Sequence, residues 1–222
     1  MKDRTLQILD LLTKKYKICQ GESRIIGANI IRDPFKTLVM GILSQNTSDR
    51  NSTKAYLSLL KRIGEISPKI LEKTKESEIR RAIKPGGLYN IKAKRIKQLA
   101  KNVLKGFGGD LSILLNYEPN KLREELMKFE GVGNKTADIF LAYSKGCGVI
   151  PIDTNVARVV KRLGLVEKTA NYKEMQKVLH NLIPYKKRII AHEMFKFLGQ
   201  NFCKAKNKRC EICPVKGLCF KN

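Results

Sequence analysis

From Phe129 to Thr154 the chain reads FEGVGNKTADIFLAYSKGCGVIPIDT. Helical patterning lies on both sides of Glu130-Gly131-Val132-Gly133-Asn134, so the stretch predicts two helices joined by a tight G-V-G turn. Backbone N–H groups of such a turn and of the next helix's first residues can point outward together, a concave donor set that suits one phosphate. Gly131 and Gly133 answer a need for positive φ or for close approach of a nucleic-acid backbone. G-x-G turns also join helices for structural reasons alone. Lys135 is the residue out of place, because the first turn of a helix favours Asp or Glu over a cation. A rule broken locally marks a functional candidate. Ala137, Ile139, Phe140 and Leu141 then continue a helical run over residues 136–143, and Gly146-Cys147-Gly148-Val149-Ile150-Pro151-Ile152 returns the chain to Asp153-Thr154.

The rest of the composition fits a polyanionic partner. The chain has 222 residues, 42% of them hydrophobic, enough for one or two domains with buried cores. Lys and Arg number 45 against 20 Asp and Glu, a formal charge of +25. That excess is spread over nearly every segment rather than confined to a tail, so it reads as a folded surface facing nucleic acid. With no signal-peptide pattern and no apolar run of about 18 residues, an intracellular, cytoplasmic and nucleoid-associated protein with no membrane partner is expected, acting as a monomer.

Along the chain, apolar positions recur at helical spacing and no convincing strand pattern or internal repeat is present. Residues 3–19 predict an amphipathic helix through Leu6, Ile8, Leu9, Leu11 and Leu12, ended by Gly21. Asp33-Pro34 predicts an N-cap with proline at the first helical position, followed by Phe35, Leu38, Val39, Ile42 and Leu43. Ser44-Gln45-Asn46-Thr47-Ser48-Asp49 breaks that helix and caps another through Ser48 or Asp49. Residues 68–84 predict one or two short helices, the second capped by Ser77. Pro85-Gly86-Gly87-Leu88-Tyr89-Asn90 interrupts before a helix from Tyr89 to Lys105, and Leu88, beside Lys84, Lys92 and Lys94, reads either as an apolar cap or as a group presented to a partner. Helices are also predicted over residues 120–128, 154–163, 172–182 and 186–201. Arg158, Lys161 and Arg162 read as phosphate contacts or solvated charges.

Cysteines carry a second signal. Four fall in the last 20 residues as Cys203-x6-Cys210-x2-Cys213-x5-Cys219. In an intracellular chain that spacing indicates a metal centre, either an iron–sulfur cluster or zinc, rather than disulfides. Zinc ribbons usually have two C-x2-C pairs, and only Cys210-x2-Cys213 has that form here. Cys19 and Cys147 read as ordinary buried or loop thiols.

Together, the hairpin, the Gly/Pro-rich loop and the following aspartate resemble the helix-hairpin-helix/Gly-Pro-Asp superfamily of DNA base-excision glycosylases. Within it, Lys135 matches the lysine of the endonuclease III type and Asp153 the acid of the whole superfamily. The 6-2-5 cysteine spacing is similar to the [4Fe-4S] loop of endonuclease III and related adenine glycosylases. The resemblance covers nearly the whole chain. It implies an all-α fold with two helical domains: a six-helix barrel over residues 28–147, and a discontinuous iron–sulfur domain from residues 1–27 and 148–222, with the hairpin at their junction. It implies a [4Fe-4S] cofactor on Cys203, Cys210, Cys213 and Cys219, and double-stranded DNA with a damaged base or abasic site as partner. Segment G-L-Y-N-x-K-A is close to the family's wedge loop, so Leu88 is expected to enter the duplex. Asn46 stands where endonuclease III commonly has a Gln that fills the gap left by the flipped base, with Gln45 alongside as a substitute. Lys204, Lys206, Lys208 and Arg209 are expected to meet DNA phosphates from the cysteine loop.

The implied chemistry is base excision with strand cleavage. The base to be removed must leave the stack, and the oxocarbenium-like charge at C1′ calls for a carboxylate, which Asp153 supplies; Asp153 is equally an ordinary N-cap. Lys135 is the expected nucleophile, giving a Schiff base and β-elimination; standing alone it reads as a phosphate contact. At a pKa of about 10.4 only about one lysine in 2,500 is neutral at pH 7, so the site must lower it by burial and the helix dipole. Oxidised pyrimidines are the expected substrates. A mismatch-directed thymine or uracil glycosylase is the alternative within the superfamily, and a non-catalytic DNA-binding protein with a structural metal site is the alternative outside it. Thr154-Asn155 follows the acid where bacterial endonuclease III typically has Thr-His. Only His180 and His192 are present, so histidine acid/base or metal chemistry is not expected.

Overall fold

A computed structural model describes residues 1–16 and 33–220. Helices and the loops between them make up all of the described residues, with no strand among them. The chain divides into two compact units, one from Met1–Gln20 with Cys147–Asn222 and one from Gly21–Gly146. The expected boundary at residue 28, the end of the first predicted helix and Cys19 lie outside the described residues. No helix among those described is long and apolar enough to cross a membrane.

In the Gly21–Gly146 unit, helices α2 (Pro34–Leu43), α3 (Asp49–Ile63), α4 (Pro68–Lys73), α5 (Glu76–Ala82), α6 (Tyr89–Phe107), α7 (Pro119–Met127) and α8 (Asn134–Ile139) follow α1 (Lys2–Lys15) of the other unit. Their ends are set by local chemistry. The Asp33 carboxylate accepts from the N–H groups of Phe35 and Lys36, Ser48 caps α3 through Asn51, and Ser67 caps α4 through Ile70. The second short helix departs from expectation. Its N-cap is Lys75, with no side-chain cap, and Ser77 lies inside the first turn, where Glu76 and Glu78 favour the helix electrostatically instead. With 68–82 split in two, seven α-helices stand in this unit among the described residues.

The 19-residue α6 organises this unit. It packs on α2, α4 and α5 and buries Ala93, Ile96, Leu99, Ala100 and Val103. Those positions repeat at three and four residues, the stripe that a core-facing helix requires. The helical run after the hairpin also differs from the expected single helix: α8 ends at Ile139 and continues as a π turn over Phe140–Ser144, with Lys145 N–H bonded to Phe140 O at 3.2 Å. Widened turns of this kind occur most often near functional sites.

In the other unit, α9 (Thr154–Arg162), α10 (Tyr172–Leu182) and α11 (Arg188–Asn201) enclose one core with α1. Ile8, Leu9 and Leu12 meet Val156, Val159 and Val160, together with Leu179, Phe195 and Leu198. A capping box starts α10, with Asn171 and Glu174 bonded reciprocally. Val215, from the cysteine loop, closes this core at 1% exposure.

Candidate functional site

The hairpin between α7 and α8 is built as its glycines require, with one difference. Gly131 has φ +84, and a Cβ there would lie 2.8 Å from Arg95 Cδ. Gly133 is the N-cap of α8 at φ −101 and ψ −175, an ordinary extended conformation. A Cβ on Gly133 would meet nothing within 4 Å. Gly133 is therefore not needed for its backbone angle; it leaves an exposed, open surface in front of α8. No side chain caps that helix. Lys135 is half-buried in its first turn. Three residues later Asp138 is fully buried and paired with Arg123 of α7, which locks the two hairpin helices together.

Asp153 belongs to the other unit. It is 9% exposed and caps α9, its Oδ1 accepting from Asn155 N–H at 2.8 Å and Val156 N–H at 2.7 Å. The cap reading of this aspartate is the one this geometry shows. Its approach loop is irregular, and α10 and α11 satisfy its backbone group by group. Arg188 donates to Gly148 O at 2.7 Å, His180 Nε2 accepts from Ile150 N–H at 3.2 Å and Gln176 donates to Ile150 O at 3.1 Å. His192 Nδ1 meets Pro151 O at 2.8 Å and the Tyr172 hydroxyl accepts from Ile152 N–H at 3.3 Å. An irregular segment next to a core needs such partners, since buried unpaired backbone groups are costly. Both histidines hold the loop. His192 is 2% exposed, and burial pushes its pKa down. Because Pro151 O can only accept, Nδ1 carries the proton.

The residues expected to meet DNA fall into two groups. Leu88 is 51% exposed and sits at φ +48, ψ 30 as the N-cap of α6, a left-handed conformation that leucine rarely adopts. Asn46 is exposed, also left-handed at φ +50, which asparagine tolerates. Gln45 is placed differently. It is half-buried, its Nε2 donating to Gly131 O at 2.6 Å and its Oε1 accepting from Arg95 at 2.9 Å. An amide engaged at both ends braces the hairpin, whereas the neighbouring Asn46 is exposed.

In the cysteine loop, Lys204 is half-buried and Lys206, Lys208 and Arg209 are exposed. The loop closes through Arg209 N–H to Phe202 O at 3.0 Å. Arg158 and Arg162, read from the sequence as phosphate contacts or solvated charges, serve the loop instead. Arg158 donates to Cys203 O at 2.8 Å and Gly199 O at 2.9 Å, and Arg162 to Lys204 O at 2.7 Å. No three metal-ligating side chains are gathered at coordination distance among the described residues. Even so, Cys203, Cys210 and Cys219 all lie within electrostatic range of Cys213, whose thiol is pushed up mainly by burial. Four neighbouring soft donors, with Arg162 Nη1 3.5 Å from Cys203 Sγ, form a donor set that fits a thiolate-held cluster.

Over residues 39–185 the sequence matches the HhH-GPD superfamily of base excision DNA repair proteins. The chain belongs to that superfamily. It is 32% identical to endonuclease III of Sulfolobus acidocaldarius over 216 residues, 96% of this chain and 94% of that protein. Two solved structures share its fold at 28% identity, each covering 100% of this chain and 96% of the other. One is a non-covalent endonuclease III–DNA complex, with a TM-score of 0.84. The other is a trapped endonuclease III–DNA covalent intermediate in an estranged-adenine complex, with a TM-score of 0.83. This HhH-GPD protein is a base-excision DNA glycosylase and AP lyase, and it binds DNA.

Sequence reading of this superfamily member missed three side chains that hold the site. Lys92 carried no signal beyond its place among lysines, yet it is 1% exposed. Arg95 carried no motif. His192 holds a carbonyl 41 residues away, which no local pattern reveals.

Proposed function

We propose that the enzyme excises oxidised pyrimidines from duplex DNA through Lys135 and Asp153. The amine of Lys135 attacks C1′ of the extruded nucleotide as the C1′–N bond breaks, the bonding pair leaving with the base, which takes up a proton. Ring opening and loss of the remaining amine proton give a C1′ Schiff base; removal of a C2′ proton then expels the 3′ phosphate and cuts the strand. Asp153 stabilises the positive charge that develops at the sugar. The observation that carries this reading is Lys135 in the uncapped first turn of α8, directly behind the open surface at Gly133. Support comes from the rigid double hold on the Asp153 carboxylate and from the relative trapped as a covalent DNA intermediate.

Leu88 serves as the wedge that offsets unstacking, and Asn46 faces the groove. Cys203, Cys210, Cys213 and Cys219 would hold a [4Fe-4S] cluster that fixes the loop presenting Lys204, Lys206, Lys208 and Arg209 to phosphates; when bound, the cluster supplies shape rather than electrons. The chain works as a helical barrel domain and a discontinuous cluster domain, and a single copy suffices for activity.

Incubation with a duplex containing one thymine glycol tests the function. Release of the free base together with a strand break is expected from wild type, and loss of both from Lys135→Gln. Base release without any strand break in either protein would favour a monofunctional glycosylase.

A further inference from the structure

Two cations on one face of α6, outside the proposed chemistry, tie together three loops. Lys92 is 1% exposed, and its ammonium donates to Leu43 O at 2.7 Å and to Gly86 O at 2.8 Å. Both partners are carbonyls, and burial alone pushes its pKa down. Desolvating an ammonium against neutral acceptors is a costly way to fill space, so the hydrogen bonds themselves need a reason. Leu43 ends α2 just before the Ser44–Asn46 turn, and Gly86 lies two residues before Leu88. Lys92's own N–H donates to Leu88 O at 3.0 Å. Gly86 is also seated against α3, where a Cβ on it would come within 3.0 Å of Ala55 Cβ. One helical step on, Arg95 holds Gln45, Gln45 holds Gly131 O, and Arg95 lies 3.7 Å from Glu130.

We propose that Lys92 is a positioning residue whose buried ammonium clamps the Gly86–Leu88 turn to the end of α2 and so holds Leu88 in its exposed, left-handed conformation. This rests on the wedge role proposed for Leu88. A leucine at φ +48 persists only where its surroundings impose it. Without the clamp the turn relaxes, Leu88 enters the duplex less often, and the steps that need unstacking slow. Reaction at an abasic site in single-stranded DNA, where no stack has to be opened, does not depend on the clamp.

Wild type, Lys92→Met, Leu88→Ala and the double variant are compared in single-turnover cleavage of a thymine-glycol duplex and of a single-stranded abasic oligonucleotide. A 2-aminopurine beside the duplex lesion reports unstacking. Misplacing a group by about 1 Å costs on the order of a hundredfold, so each single variant is expected to slow the duplex reaction about tenfold or more. Both lower the 2-aminopurine signal, and the double variant is no slower than the slower single one, because the two act through one turn. Wild type and Lys92→Met cleave the single strand within about twofold of each other. A full duplex rate in Lys92→Met with a slow Leu88→Ala overturns the clamp and leaves the wedge standing. A wild-type rate in Leu88→Ala removes the wedge, and the clamp with it. Additive losses, or equal losses on duplex and single strand, also overturn the proposal. Should Lys92→Met fail to fold, Gly86→Ala displaces the same turn against Ala55 while keeping Lys92, and the same comparison applies.

Discussion

At Asp153, capping and the proposed catalytic role are separable by one atom. Oδ1 accepts both N–H groups of α9's first turn, and asparagine caps helices about as well as aspartate. Asp153→Asn should therefore melt within about 0.5 kcal/mol of wild type, yet lose on the order of a hundred- to a thousandfold in single-turnover base excision, as when one charge-stabilising group is removed elsewhere. Parallel melting and kinetics check this. His192 gives a pH signature. Its folded pKa is lowered by burial, with Lys196 adding to the effect and Glu193, Asp153 and the Pro151 carbonyl opposing it. The unfolded chain thus takes up the proton first as pH falls below about 6.5, and stability drops from there down to the folded pKa. Melts between pH 7 and pH 5 should show this slope, and His192→Gln should flatten it.

At the level of elements, Leu88 and α6 show function competing with backbone preference. Leu88→Gly removes a left-handed leucine whose strain is about 1 kcal/mol and loses little burial, since the side chain is half exposed. The variant should be as stable as wild type or up to about 1 kcal/mol more stable, while excision from duplexes slows; melting and kinetics moving in opposite directions are the readout. Helix starts governed by a neighbouring oxygen were legible in the sequence: Asp33 and Ser48 cap where they were expected. The start of α5 was not, because Lys75 leaves no capping side chain to read. Hairpin, Gly/Pro loop and Asp153 were legible because glycine, proline and a capping acid each restrict the backbone locally. Lys92, Arg95 and Arg158 were not. Each binds a group at least 41 residues away, and a lysine or arginine on an amphipathic helix looks solvated until its partner is seen.

For the whole molecule, a charge of +25 puts much of the affinity in phosphate contacts, and these carry a salt signature. Each contact contributes about 0.9 to the slope of log K against log salt. Replacing Lys204, Lys206 and Lys208 with alanine should lower that slope by about 2.7 if all three meet phosphates. An unchanged slope would assign the loop's charge to solvent. Cys210→Ala should abolish stoichiometric iron and sulfide, and with them the loop's share of DNA affinity, while the helical circular dichroism of the α2–α8 unit persists.

The central claim is that Lys135 forms the covalent bond to the sugar. Borohydride trapping on a thymine-glycol duplex, with the adduct mapped by peptide mass spectrometry, tests it most directly. A single DNA-linked peptide containing Lys135, absent from Lys135→Ala, is the predicted result. An adduct that persists in Lys135→Ala, or that maps to another amine, would contradict the assignment.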